Sequence, residues 1–305
     1  MDCSQNSCNR VWLHKDSSEW SFAVLFSLSK NTIILLTLKF HLIRFTMVRP
    51  KKHLGQHFLT DVSIAGRIVD ALPARPGDTV VEIGPGTGIL TGLLMEKDIR
   101  LIAVEVDSEA ARHIREKWPS MKERLVEEDF LRADLAQLTG GNFHVIGNFP
   151  YNISSQILFR ILDHRLQIPS VVCMLQKEVA NRIASPPGTR EYGIPSVLLQ
   201  TWYRIEHLFS VKPGSFFPPP KVTSGVVRLT RNRMVHLPCD EKLYFRLVKT
   251  VFNQRRKMLR NSLRSILLNL DLHHELMDKR PEQLDIPQFI DLTCRVGSLL
   301  GTGKG

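Results

Sequence analysis

The sequence lacks the cysteine pattern of a metal site or a disulfide framework. Its 305 residues include five cysteines, of which Cys173, Cys239 and Cys294 are scattered, and Cys3 and Cys8 have no second pair to complete a zinc site. Disulfide frameworks belong to oxidising compartments, and an odd, scattered set is typical of a reducing one. We therefore expect no metal ion and a location in the cytoplasm.

The sequence also lacks an uninterrupted apolar run that would cross a membrane. Residues 22–43 are largely apolar, but Lys30, Lys39 and His41 interrupt them, and a membrane span needs about 20 consecutive apolar residues. Internal repeats and low-complexity tracts are absent as well. We therefore expect a globular protein without a membrane partner.

Three interpretations of residues 1–46 remain open. Arg10 precedes the apolar run as in a signal peptide, but no small-residue cleavage site follows that run. Translation that begins at Met47 would make the segment an artefact, because the globular pattern starts directly after that residue. The third interpretation is a disordered or targeting extension.

Charge is the unusual bulk property of this chain. It has 41 Lys and Arg against 30 Asp and Glu, a formal net charge of +11 and a pI of about 9.6. Such an excess favours a polyanionic partner such as nucleic acid or an anionic membrane, although a generally basic soluble protein would share it. The length suits one large domain and a small one.

Predicted strands and helices alternate from residue 80 to residue 184. The strands are predicted at residues 80–83, 101–106, 124–127, 143–147 and 171–176, and the helices at residues 87–97, 108–118, 154–162 and 177–184. Regular alternation of strand and helix predicts an α/β fold with a doubly wound, mostly parallel sheet of the Rossmann-like type.

The pattern changes after this alternation. Residues 203–211 and 225–230 predict two strands that can pair antiparallel at one sheet edge, joined by a proline-rich run. Three helices follow, predicted at residues 241–254, 257–270 and 287–300. We therefore expect a catalytic domain over residues 47–235 and a small helical domain over residues 236–305.

Glycines follow the first strand at the point where a helix begins. Gly84, Gly86 and Gly88 form the pattern G-x-G-x-G, and small residues there let the backbone approach a ligand. A dinucleotide loop usually has the pattern G-x-G-x-x-G. The difference is compatible with a nucleoside ligand that has no pyrophosphate.

Two acids follow the next two strands. Glu105 ends the second strand about 20 residues past the loop, where an acid can accept hydrogen bonds from both ribose hydroxyls. Asp129 follows the third strand and can accept from an adenine amino group, and Phe130 beside it can pack on the ring. Each acid alone is an ordinary loop residue, but together they predict a nucleoside pocket.

The fourth strand is followed by Asn148, Phe149, Pro150 and Tyr151. A strand-to-helix turn with a proline would look the same, since Pro150 restricts the residue before it. The functional interpretation is binding of an adenine amine, which the Asn148 side-chain oxygen and the Phe149 carbonyl can accept. Tyr151 offers a ring on which the base can stack, a contact that contributes about 1–3 kcal/mol. Alignment with a sulfonium methyl would then provide most of the catalysis, without a strong general base.

Together these residues resemble the KsgA/RsmA family of ribosomal RNA adenine dimethyltransferases, from about Lys51 to the last helices. Residues 54–61, with the sequence LGQHFLTD, are similar to the family's opening motif. The resemblance implies that Gln56, His57 and Leu59 contact the methionine end of S-adenosylmethionine. The family often has Asn where this chain has His57.

The rest of the motifs match the same family. Gly84, Gly86, Glu105 and Asp129 correspond to its cofactor residues, and residues 148–151 to its catalytic Asn-x-Pro-Tyr, of which Asn148 is also expected to contact the cofactor. Residues 216–222 resemble the family's Phe-x-Pro-x-Pro-Lys-Val, which implies that Phe216 closes over the flipped base. A rigid proline turn with a core phenylalanine is the structural alternative.

The resemblance also implies the substrate: the N6 amines of two adjacent adenines near the 3′ end of small-subunit (16S) rRNA, modified during ribosome biogenesis. The implied partner is that RNA or an immature small subunit, and we expect the chain to act as a monomer. A first basic group is expected to neutralise phosphates: Arg255, Arg256, Lys257, Arg260 and Arg264. A second basic group consists of Arg49, Lys51 and Lys52.

Three other functions compete with this one. Erythromycin-resistance methyltransferases share the core motifs but modify large-subunit rRNA. Residues 252–263 resemble the KsgA/RsmA family more closely than these enzymes. A binding protein that kept the fold and lost catalysis is a second alternative, against which Asn148, Pro150 and Tyr151 argue. The loop spacing disfavours a nicotinamide dehydrogenase.

Overall fold

The computed structural model describes residues 48–267, 270 and 272–301 with their side chains. For the N-terminal part it describes only the backbone of residues 11–16, 19–29 and 32–39. Residues 1–47 and residues 48–305 form two separate compact units.

The first unit contains an antiparallel sheet of three strands. These strands are β1 (Val11–Asp16), β2 (Glu19–Ser29) and β3 (Thr32–Lys39), and β2 pairs with both neighbours. The segment that we expected to be an extension thus contains strands. Met47, the alternative translation start, lies outside the described residues.

The second unit is built on nine strands. They are β4 (Phe58–Leu59), β5 (Thr79–Ile83), β6 (Arg100–Glu105), β7 (Leu125–Glu127), β8 (His144–Asn148), β9 (Ser170–Gln176), β10 (Tyr203–Val211), β11 (Phe216–Phe217) and β12 (Ser224–Arg231). Seven of them form a sheet in the order β10-β12-β9-β8-β5-β6-β7, and β11 and β4 form a separate two-stranded ribbon. The central strands β5 to β9 are parallel, and β12 and β10 complete one side antiparallel.

Helices surround this sheet and make up the C-terminal part. They are α1 (Val62–Asp70), α2 (Ile89–Leu94), α3 (Ser108–Lys117), α4 (Leu135–Thr139), α5 (Ser154–Asp163), α6 (Lys177–Ala184), α7 (Ile194–Trp202), α8 (Glu241–Asn253), α9 (Leu259–Ser262), α10 (Arg264–Leu267) and α11 (Ile286–Leu299). The Rossmann-like fold class predicted from the sequence is therefore confirmed. The predicted helix at residues 257–270 is replaced by the two short helices α9 and α10.

Helix α7, which the sequence pattern does not predict, connects the sheet to the helical part. Its Trp202 is buried and packs edge-on against Tyr244 of α8, with ring centroids 6.2 Å apart. The Thr201 hydroxyl forms a buried 2.8 Å hydrogen bond with the Tyr244 hydroxyl. One hydrophobic core therefore runs through both parts, and the change near residue 235 is one of secondary structure.

Parallel topology brings the polar residues of interest to one edge. Strands β5, β6, β7 and β8 all end at the same side of the sheet, so the segments that follow them lie close together.

No described helix is long and apolar enough to cross a bilayer.

Candidate active site

A cavity of about 270 Å³ opens at the carboxyl ends of these strands. Open α/β sheets bind ligands at this edge. The cavity is lined by Leu54, Gly55, Gln56, His57, Phe58, Gly84, Gly86, Glu105, Val106, Asp129, Leu131, Asn148, Phe149, Pro150, Tyr151, Asn152, Ile153 and Gln156.

The glycine loop forms the floor of this cavity. Gly86 has a φ of 57°, a conformation that glycine adopts without steric cost. A Cβ on Gly86 would lie 2.8 Å from the Phe58 ring, which is closer than non-bonded carbon atoms approach each other. The absence of a side chain therefore lets Phe58 lie directly over the loop.

Glu105 is held rigidly at the end of β6. Its Oε2 accepts a 3.1 Å hydrogen bond from the Gly86 amide, and its Oε1 accepts a 2.9 Å bond from the Asp107 amide. Burial raises the pKa of this carboxyl despite these donors. A carboxylate offers about four lone-pair positions, so Glu105 keeps acceptor capacity for two hydroxyls.

The loop after β7 presents a different residue from the one expected. Asp129 lines the cavity, and its Oδ1 accepts a 2.9 Å bond from the Leu131 amide. Phe130 is buried in the core, while Leu131 lines the cavity. The expected contact of Phe130 with an adenine ring is therefore wrong, because its side chain lies in the core. Leu131, together with Val106 after β6, forms apolar wall of the cavity instead.

The carboxamide of Asn148 has a fixed orientation. Its nitrogen lies 2.7 Å from the main-chain carbonyl of His57, and because that carbonyl only accepts, the contact atom is Nδ2 and Oδ1 points the other way. Oδ1 is buried and has no hydrogen-bond partner in the described part of the protein. An unpaired buried acceptor costs about 1–3 kcal/mol, which a ligand N–H would recover.

The turn after Asn148 presents both main chain and ring to the cavity. The side chain of Phe149 is 1% exposed, so this residue contributes mainly its main chain to the lining. The hydroxyl of Tyr151 hydrogen-bonds with that of Ser224 at the start of β12. Burial raises the pKa of Tyr151, so the phenol stays neutral, while the contact with Ser224 holds the ring in place.

The opening motif forms one wall. Gln56 and His57 line the cavity, as does Phe58. Leu59 does not, because successive side chains of β4 point to opposite faces, and Leu59 is packed in the core. The expectation that Leu59 lies at the cofactor site is therefore wrong, and Phe58 lines the cavity in its place. The His57 ring Nδ1 lies 2.8 Å from the Pro218 carbonyl, so Nδ1 carries the proton.

Phe216 is buried in the core and does not line the cavity. In the β11–β4 ribbon Phe216 lies opposite Leu59 and Phe217 opposite Phe58, and opposite residues share a face. Phe217 is 53% exposed and shares its face with Phe58 of the cavity wall. The expected position of Phe216 over a base is therefore corrected: it is the core phenylalanine of a proline turn.

The first basic group is only partly available to RNA. Arg255 donates to the main-chain carbonyls of Arg190 and Thr189, and its Nε lies 3.7 Å from Glu282. Arg260 is paired with Asp278.

By contrast, Arg256 and Lys257 are exposed and form no ion pair within the described ranges. The sequence could not distinguish these members, because their acidic partners lie elsewhere in the chain.

Several residues around the cavity were missed from the sequence. Asn152 donates a 3.1 Å bond to the His53 carbonyl, and its place beside Tyr151 was the available signal. Asp107 is two residues beyond Glu105, a position that the strand-end argument did not reach. Among the described residues no cluster of three or more His, Cys, Asp or Glu side chains has the arrangement of a metal site.

The family model described as ribosomal RNA adenine dimethylase matches residues 47–291. The chain belongs to this family. It is 53% identical over 249 residues to the ribosomal RNA small subunit methyltransferase A of Parabacteroides distasonis, which covers 81% of this chain and 94% of that protein. The protein of the same name from Bacteroides thetaiotaomicron is 50% identical over 259 residues, covering 84% and 97%.

Solved structures show the same fold. A dimethyladenosine transferase from Plasmodium falciparum has a TM-score of 0.68 and 24% identity, covering 80% of this chain and 98% of that one. The 23S rRNA methyltransferase ErmE has a TM-score of 0.59 and 26% identity, covering 77% and 99%. The predicted family is confirmed, and the chain is an rRNA adenine dimethyltransferase that uses S-adenosylmethionine.

The opposite faces of the β11–β4 ribbon predict opposite effects for two adjacent phenylalanines. Phe216→Ala should destabilise the protein by about 3–5 kcal/mol, because it leaves a cavity in the core. Phe217→Ala should change stability by less than about 0.5 kcal/mol, as surface substitutions do. Urea denaturation of both variants measures this, and equal destabilisation would show that the faces are assigned wrongly.

Proposed function

We propose that this protein transfers methyl groups from S-adenosylmethionine to the N6 amines of two adjacent adenines near the 3′ end of small-subunit rRNA. Two curated relatives at 50% and 53% identity carry the name of a small-subunit enzyme. The large-subunit enzyme ErmE, a 23S rRNA methyltransferase, shares only 26% sequence identity with this chain. The higher identity favours the small subunit as the substrate.

The observation that carries this proposal is the unpaired Oδ1 of Asn148. An adenine N6 has its lone pair delocalised into the ring and is therefore a poor nucleophile. Acceptors that hold its two N–H groups favour a pyramidal nitrogen with a localised lone pair. Asn148 Oδ1 and the Phe149 carbonyl lie on consecutive residues at the cavity and suit these two roles.

The residues around the cavity also suit the cofactor. S-adenosylmethionine supplies an electrophilic methyl group when bound. Glu105 would hold the ribose hydroxyls and Asp129 the adenine amine, while Val106 and Leu131 cover apolar surface. Gln56 and His57 would lie at the methionine end. Tyr151 would stack on the target base, which has to be extruded or already unpaired.

We further propose that the protein acts as a monomer in the cytoplasm on an immature small subunit. One chain contains the whole set of cavity residues, so the site needs no partner copy. The excess of positive charge suits a substrate that is rich in phosphate.

Arg256 and Lys257, in the turn between α8 and α9, are the proposed RNA-docking cations of the helical part. They are exposed, unlike Arg255, whose guanidinium holds the 189–190 loop. Arg255 and Arg260 are therefore proposed to support this surface rather than to bind phosphate.

Asn148→Ala tests the chemistry. At saturating S-adenosylmethionine the variant should lose about 100-fold or more in methyl transfer, as expected when a preorganised polar group is removed. Asn181→Ala, an exposed asparagine of α6, is the matched control. Labelled cofactor with immature small or large subunits, followed by mapping of the label, measures activity and substrate choice.

Full activity of Asn148→Ala would contradict the proposed role of Asn148 Oδ1. A wild-type protein that binds RNA without transferring label would favour the binding-protein alternative.

Arg256→Ala combined with Lys257→Ala tests the docking surface. The double variant should bind rRNA more weakly, and the slope of log K against log salt should fall by about 1 per cation removed. Cofactor affinity should stay the same. The control is Arg112→Ala combined with Lys122→Ala, two exposed cations of the sheet part. An unchanged salt slope in the Arg256→Ala, Lys257→Ala variant would refute the proposed docking surface.

A further inference from the structure

Asp107 is a buried carboxylate two residues beyond the end of β6, and it has no part in the proposed methyl transfer. Its side chain is fully buried, and it forms an ion pair with Lys51, whose side chain is 32% exposed. Its Oδ2 accepts a 3.0 Å hydrogen bond from Gln56 Nε2, and its Oδ1 accepts a 3.0 Å bond from the Glu109 amide. Lys51 and Gln56 both belong to residues 51–58, which we call the opening segment.

The same segment forms one wall of the cavity. Residues 54–58 all line it, and the His57 carbonyl fixes the Asn148 amide. Gln56 Oε1 accepts a 2.8 Å bond from the Lys51 amide, so Lys51 and Gln56 are also joined to each other. Three groups, Lys51, Gln56 and Asp107, therefore form a closed set of contacts, which we call the latch.

The latch also reaches the ribose-binding acid. The Asp107 amide donates to Glu105 Oε1, and Glu105 Oε2 accepts from the Gly86 amide in the glycine loop. A single run of hydrogen bonds thus connects the opening segment to the residues expected to hold the ribose.

We propose that Asp107 is a positioning residue for S-adenosylmethionine, which holds the segment of residues 51–58 as a wall over the cofactor through Lys51 and Gln56. The inference rests on the assignment of this cavity to S-adenosylmethionine. It assigns to Asp107 no contact with the reacting atoms.

The charge of Asp107 is essential to this role. A buried carboxylate is stable only when it is paired and hydrogen-bonded, and here two of its three donors come from the opening segment. Burial raises the pKa of Asp107, but the hydrogen bonds from Lys51 and Gln56 outweigh it and lower the pKa overall. The pKa of Lys51 is raised by its hydrogen bond to Asp107, so both partners favour the charged pair.

A purely local role for Asp107 has to be separated from the latch. Asp107 is the N-cap of α3, and removal of a cap destabilises a helix. Asn caps a helix as well as Asp does, so Asp107→Asn keeps the cap. It removes the charge that pairs with Lys51 and sets an amide nitrogen against the donor Gln56 Nε2.

The test is a double-mutant cycle in the full-length protein without RNA. Asp107→Asn, Lys51→Met and the double variant are titrated with S-adenosylmethionine by calorimetry. Each single variant should raise the dissociation constant about tenfold, and the double variant should be no weaker than either single one, because contacting residues are not additive. Lys122→Met, at an exposed lysine of the sheet part, should leave the constant unchanged, and Lys51→Arg should keep most of the affinity that Lys51→Met loses.

Amide hydrogen exchange supplies the readout that a cap alone would not change. Exchange at residues 51–58 should accelerate in Asp107→Asn while α3 stays protected and the melting temperature stays close to that of the wild type. Unchanged affinity in both single variants, or losses that add in the double variant, would overturn the latch. A wild-type protein that does not bind S-adenosylmethionine would instead overturn the proposed function.

Discussion

The hydrogen bond from Asn148 Nδ2 to the His57 carbonyl is the constraint on which the site depends. It fixes which end of the amide faces the cavity and leaves Oδ1 buried without a protein partner. The free energy cost of such an acceptor is recovered only when a donor binds. An amine with two N–H groups meets this requirement, whereas a carbonyl or a carboxylate does not.

The parallel sheet supplies the other half of the arrangement. Glu105 ends β6, Asp129 follows β7 and Asn148 ends β8. Strand β5 separates β8 from the neighbouring strands β6 and β7, yet all three residues lie at one edge. These positions suit the proposed roles, in which the two acids accept from the cofactor's hydroxyl and amino groups and the amide oxygen accepts from the target amine. The opening segment closes this edge, and its contacts with Asn148 and Asp107 link the expected base and cofactor ends of the cavity.

Strand-end residues were predictable because their position depends only on the alternation of strands and helices. Phe58 and Phe217 were not, since a two-residue strand gives no periodicity from which a face could be read. Helix α7 was missed because it buries residues on most of its faces and so lacks an amphipathic pattern. The pairing of Arg255 with the 189–190 loop arises from tertiary structure, which a run of basic residues does not encode.

A structure of the protein with S-adenosylhomocysteine and an rRNA fragment tests the central claim most directly. The target adenine N6 is predicted to lie about 2.7–3.2 Å from Asn148 Oδ1, with Nδ2 still bound to the His57 carbonyl. An adenine amine placed away from this oxygen, or an amide rotated to present Nδ2 to the base, would contradict the account.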